Sequence, residues 1–177
     1  MNALTRDTAS FSPLSLRFAL AWTLAPLVAW AALHSPWMAW LAAHGAETAR
    51  VYFGTDTRAG ELPCVELLPR ADRSPAPVAP HRWFSFTLRM HVLLQAALLG
   101  IGVWIATSEG AQWGLWAMVA MGIGVGGITG GQGITFAHEL GHSRSVFDRA
   151  LGWLLMASVN YSHFMVEHYR GHHPRAA

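Results

Sequence analysis

Residues 113–136 read WGLWAMVAMGIGVGGITGGQGITF, without one charged side chain. About 20 mostly apolar residues, each rising 1.5 Å, cross the ~30 Å core of a bilayer. The stretch is therefore long and apolar enough to be a membrane helix. Its glycines, Gly122, Gly124, Gly126, Gly127, Gly130, Gly131 and Gly133, point first to close helix packing. A second expectation is room beside this helix for a flat or linear apolar substrate. With no strand before it and no polar approach, its Gly-x-Gly-x-Gly pattern argues against a phosphate loop.

Two more segments outward from this one read as spans, residues 16–33 and residues 90–107. Residues 37–53 begin apolar but carry Glu47 and Arg50, which makes them a poor span by hydropathy. Charge argues for a crossing there nonetheless. Arg6 and Arg17 precede the first helix, and Arg50, Arg58, Arg70, Arg73, Arg82 and Arg89 crowd the next polar stretch. If Arg-rich flanks lie on the cytoplasmic side, the chain must cross and return between them. Residues 54–82 hold Pro75, Pro77 and Pro80 close together and are expected to be extended. The connector Ser108-Glu109-Gly110-Ala111-Gln112 lacks basic residues, and Arg144, Arg149, Arg170 and Arg175 follow the next helix. The resulting expectation is an all-α, polytopic integral-membrane bundle with about four membrane helices and both chain ends in the cytoplasm.

Composition agrees. The chain has 177 residues, 53% hydrophobic and 12% charged, against about 25% charged in soluble domains. Its 12 basic residues are all Arg and are scattered, with no stripe of the kind nucleic acid binding needs. A single cysteine, Cys64, leaves no internal disulfide framework. Trp37, Trp40, Trp104, Trp113 and Trp116 are expected as interface anchors.

Histidine carries the chemistry. The first cluster is His138-Glu139-Leu140-Gly141-His142 and the second is Glu167-His168-Tyr169-Arg170-Gly171-His172-His173. Residues i and i+4 share one helix face, so His138 and His142 can grip one ion, and His168 and His172 repeat the geometry. His173 adds a neighbour about 100° further round. The mostly apolar residues 151–165 between the clusters suit a helix or re-entrant segment that folds the second cluster onto the first. Five imidazoles exceed what one tetrahedral zinc with an open position uses, which favours two ions. Glu139 and Glu167 adjoin candidate ligands and are expected to accept a hydrogen bond from a ligand's other ring nitrogen, with direct ligation as the second choice. His163 is placed in the same supporting shell. His34, His44 and His81 read as interfacial or capping residues. His91, inside a hydrophobic helix, is the remaining candidate to line the site.

Both clusters resemble the first and second histidine motifs of the membrane alkane 1-monooxygenases, relatives of the fatty-acid desaturases with histidine-bound di-iron centres. Phe147-Asp148-Arg149 and Tyr161-Ser162-His163-Phe164 resemble that family too. The resemblance is clear over residues 90–173. It implies a membrane helical bundle in which His138, His142, His168, His172 and His173 are ligands of two non-haem irons. It further implies insertion of one oxygen atom of O₂ into the terminal C–H bond of an alkane, with electrons from rubredoxin and rubredoxin reductase. The location implied is the bacterial inner membrane, with the histidine motifs facing the cytoplasm. Ser143 stands where the family usually has a basic residue. The family also carries later histidine motifs, so residues 1–177 are expected to be the N-terminal part of the oxygenase domain, incomplete and inactive alone.

Two rival expectations stand beside this one. His138-Glu139-x-x-His142 is also the HExxH pattern of zinc proteases, with Glu139 as general base, but that reading gives His168, His172 and His173 no work. A metal-transport protein would line its helices with polar residues. Gln95, Thr129 and Gln132 are the main ones available, which is few.

Overall fold

A computed structural model of the chain describes residues 19–53 and 82–169. The described elements are helices: α1 (Ala21–His34), α2 (Pro36–Phe53), α3 (Arg82–Ser108), α4 (Gly110–Trp113), α5 (Leu115–Gly127), a π-helical turn (Ile128–Gln132), α6 (Gly133–Gly141), α7 (Val146–Ser158) and α8 (His163–Glu167). His81, His172, His173 and all but the last residue of the proline-bearing stretch 54–82 lie outside the described residues.

The break between α1 and α2 follows from Pro36. A residue before proline is driven out of the α region, and Ser35 is extended, with φ −167° and ψ 138°. Proline then opens α2, where its missing N–H costs nothing. The two helices form a hairpin. α2 lies against α5 so closely that a Cβ on Gly124 would sit 2.7 Å from the carbonyl oxygen of Ala39. α3 runs beside α1, and the indole of Trp22 donates to the carbonyl of Thr87 at 3.1 Å. Gly114, with φ 78°, makes the left-handed turn that sends the chain from α4 into α5.

Two helices, Trp83–Ser108 and the continuous run Leu115–Gly141, are long and apolar enough to cross a membrane. The first begins several residues before the expected start and the second continues through the first histidine cluster. α1 is apolar but only 14 residues long. Residues 37–53, poor by hydropathy, are nonetheless helical within α2. The described spans thus number two, against the four expected. Large apolar side chains face outward along these helices, among them Leu93, Val103, Ile123 and Trp116, the last 74% exposed. Such coverage suits a lipid surround better than water.

The glycines of the second span divide. Gly124 and Gly133 are pressed against Ala39 and Gln95, as close packing predicts. At Gly122, Gly126, Gly127, Gly130 and Gly131 a Cβ would meet nothing within 4 Å. Between the two sets of contacts lies the π-helical turn, which fits one residue more into a turn than an α-helix does. It re-phases the helix, so that α5 faces α2 while α6 faces α3 and α7.

Past α6 the chain doubles back. α7 starts beside Arg89 and ends beside Gln95, where the Gln95 side-chain amide donates to Ser158 Oγ at 2.7 Å. Gln95 is halfway along the first span, so α7 re-enters to about mid-depth. Asn160 then takes φ 56°, a left-handed conformation that asparagine tolerates. The turn at residues 159–162 leads into α8, which carries His168 back toward α6. This is the fold-back expected from the apolar run 151–165.

Candidate metal centre

Helical phase puts His138 and His142 on one face of the last turn of α6, and α8 delivers His168 from the other side. The three Nε2 atoms converge: His138 to His168 is 3.0 Å, His142 to His138 is 3.1 Å, and His142 to His168 is 3.0 Å. Their ligand atoms form a group able to hold a metal ion. Hydrogen bonding alone is a poor account of this triangle. Each neutral imidazole nitrogen is either a donor or an acceptor. With three atoms and two roles, at least one pair must share a role and repel. A cation among them removes the conflict, because all three lone pairs then point at it.

The surroundings fit that use. Glu139 Oε1 lies 3.2 Å from His138 Nδ1, the ring nitrogen turned away from the triangle. An N–H donated there fixes the tautomer that leaves Nε2 free to ligate. Phe164 stacks on the His168 ring at 5.3 Å, and Tyr161 stacks on Phe164 at 5.5 Å. Gly141 lets Met165 and Tyr169 approach the end of α6, where a Cβ would meet both side chains. Burial pushes the Tyr169 phenol above its ordinary pKa.

Other expected site residues fall elsewhere. His163 is exposed and packs against Tyr161, outside the triangle. Glu167 is exposed. His91 is 0% exposed, with its ring edge-on to Phe136 at 4.4 Å, and both its ring nitrogens lack a hydrogen-bond partner. It lines the α3–α6 interface and does not join the three converging imidazoles. His34 and His44 are exposed, each with Nδ1 at the carbonyl of the tryptophan one turn earlier, as expected of residues at a helix surface.

Neither Arg89 nor Asp148 stands out as functional in the sequence. Asp148, 4% exposed, receives Arg89 Nε at 2.7 Å, Arg89 Nη2 at 3.2 Å and the Ser143 hydroxyl at 2.8 Å. Hydrogen bonding from Arg89, against the opposing effect of burial, holds its carboxyl below the usual carboxylate range. A local signal was present. Ser145-x-x-Asp148 before an apolar run is a helix-start pattern, and Ser145 Oγ does accept from the Asp148 N–H.

No family model matches the chain, and no solved structure matches it. Curated relatives do. An alkane 1-monooxygenase of Pseudomonas putida is 32% identical over 92 residues, 52% of this chain and 22% of the relative. Alkane 1-monooxygenase 1 of Alcanivorax borkumensis is 31% identical over 120 residues, 64% of this chain and 29% of the relative. Alkane 1-monooxygenase 1 of Pseudomonas aeruginosa is 39% identical over 82 residues, 46% of this chain and 21% of the relative. The matched stretch thus amounts to less than a third of each of these relatives' length. Over the half or so of the chain that they cover, these similarities make it a relative of the alkane 1-monooxygenase family.

Proposed function

We propose that this chain is part of a membrane-bound non-haem iron monooxygenase that hydroxylates the terminal carbon of alkanes. The observation that carries the reading is the convergence of three imidazole Nε2 atoms in a stretch similar to alkane 1-monooxygenases. His138, His142 and His168 would hold one iron, and His172 and His173 would serve a second. Imidazole suits iron as well as zinc, and the similarity to alkane 1-monooxygenases is what favours iron here.

Bound iron would supply the activation of O₂, chemistry that side chains lack. In the overall reaction one oxygen atom enters the C–H bond and the other leaves as water, with two electrons and two protons consumed. Rubredoxin and its reductase are the proposed electron source. The residues present do the positioning. Glu139 holds the His138 ring, Phe164 stacks on the His168 ring, and Met165 packs against Gly141 at the end of α6. The open face over Gly122, Gly126 and Gly130, where a Cβ would meet nothing within 4 Å, is the proposed surface for an apolar chain.

Placement in the bacterial inner membrane, with four crossings and the histidines at the cytoplasmic end, completes the proposal. Trp37, Trp104, Trp113 and Trp116 gather at the end opposite the histidines, while Arg144 and Arg149 lie at theirs. That distribution suits an outer aromatic belt and a positive inner face. The zinc-protease alternative fits less well. A general base must face the metal-bound water, but Glu139 reaches the side of His138 turned away from the triangle.

Elemental analysis and Mössbauer spectroscopy of the detergent-purified protein test the reading. Bound iron with a non-haem signature is the expected result. Stoichiometric zinc without iron would overturn it.

A further inference from the structure

We infer that Asp148, gripped by Arg89, is a positioning residue for the three-imidazole centre. The inference rests on the reading of that centre as a metal site. Three parts of the fold meet at this one carboxylate. Arg89 reaches it from α3 with both Nε and Nη2, Ser143 reaches it from the link that follows His142, and Asp148 itself belongs to the first turn of α7. The link is short, running from His142 to Ser145, and is tied a second time. Arg149 Nη1 donates to the carbonyls of Ser143 at 3.0 Å and Arg144 at 2.9 Å.

The geometry gives these ties a consequence. His138 and His142 ride on α6, whereas His168 arrives through α7, the turn and α8. The edges of the triangle that involve His168 therefore depend on how α7 leaves α6. Gly152 brings the two helices close, since a Cβ there would lie 2.8 Å from the Ala137 carbonyl. A small residue sets closeness but leaves direction loose. A planar, two-point guanidinium–carboxylate pair sets direction. The Arg89 side chain is 43% exposed, and ion pairs open to solvent contribute little to stability, so orientation is a better account of Arg89–Asp148 than stability.

The test uses the detergent-purified chain with Co²⁺ as the metal probe, reading dissociation constant, visible ligand-field bands and unfolding temperature. Asp148→Asn is expected to weaken Co²⁺ binding at least tenfold and to shift the bands. Arg89→Lys, which keeps the charge but loses the fork, should fall between it and the unsubstituted chain. Ser143→Ala removes the hydrogen bond donated to Asp148 and the one accepted from the Ser145 N–H, and keeps the ion pair. It should fold normally and bind about threefold more weakly, and so it provides the answer if Asp148→Asn does not fold. Trp22→Phe, which removes the bond to Thr87 on α3, should lower the unfolding temperature while affinity and spectrum stay unchanged. Wild-type affinity and bands in Asp148→Asn, or in Ser143→Ala where Asp148→Asn does not fold, would overturn the inference. So would an equal loss of affinity in Trp22→Phe. Absence of Co²⁺ binding by the unsubstituted chain would instead overturn the metal reading, and this inference with it.

Discussion

Two halves of this bundle are built on different principles. Around α1, α2 and α5 the buried residues are mostly small and apolar: Ala25, Val28, Ala29, Ala32, Ala39 and Ala43, with Leu98, Ile105, Met121, Val125 and Ile128. Around α6, α7 and α8 a smaller core of Val92, Ala137, Leu140, Leu155, Met156 and Met165 lies close to an ion pair and the converging histidines. The first half fixes distance, and its residues are interchangeable within limits of volume. The second fixes direction through polar atoms with particular partners, as Asp148 has in Arg89 and Ser143. Substitutions in the first should change stability and leave chemistry alone, whereas substitutions in the second should act first on metal binding.

The largest expected effect belongs to the second half. His142→Ala or His168→Ala leaves two converging nitrogens where there were three. Bound metal should fall to less than about a tenth of the unsubstituted level, since metal sites depend on complete ligand sets. Unfolding temperature, measured by circular dichroism, should change little, because both side chains are partly exposed. A metal content unchanged by either substitution would mean that the triangle is not the site.

Acid should also separate the halves. The Arg89 hydrogen bond depresses the Asp148 carboxyl below its unfolded value of about 3.9. Its stabilising contribution is therefore complete above about pH 4 and is lost as pH falls through the lower folded value. Lowering pH from 5 to 2 should destabilise the parent more than Asp148→Asn, with the two unfolding curves converging at the acid end. Equal acid sensitivity in both would remove the ion pair from the account.

The same contrast explains what could be read from the chain. α3 and the α5–α6 run were legible because burial in lipid or protein demands apolar residues all round, and hydropathy reports that directly. α2 was harder, since Glu47 and Arg50 hide its helical character, and only the distribution of arginines argued for it. His138 and His142 were legible as a pair because their spacing is local. The approach of His168 followed from the apolar run between the clusters, given a fold-back. Arg89 was not legible as a partner of Asp148, because 59 residues separate them and any of several arginines could have served. The place of His91 stayed open for a related reason. A histidine in an apolar helix announces a special environment, but sequence does not say which neighbour supplies it, and here it is Phe136.

The smallest effect gives the finest test of the first half, because one substitution two residues apart should change sign. Alanine is favoured over glycine in a helix interior by roughly 0.5–1 kcal/mol. At Gly126 the new methyl meets nothing within 4 Å, so Gly126→Ala should raise stability by up to that amount. At Gly124 the methyl would lie 2.7 Å from Ala39 O and 2.9 Å from the Trp40 nitrogen, both backbone atoms that no side-chain rotation can move aside. α2 and α5 must then separate, at a cost of about 1–3 kcal/mol, which outweighs the helix preference. Unfolding in a graded denaturing-detergent series should therefore shift up for Gly126→Ala and down for Gly124→Ala, with Co²⁺ affinity unchanged in both. Equal shifts would mean that α2 does not lie against α5 as described. A changed affinity in Gly124→Ala would mean that the two halves are mechanically coupled, with the π-helical turn as the element able to transmit the strain.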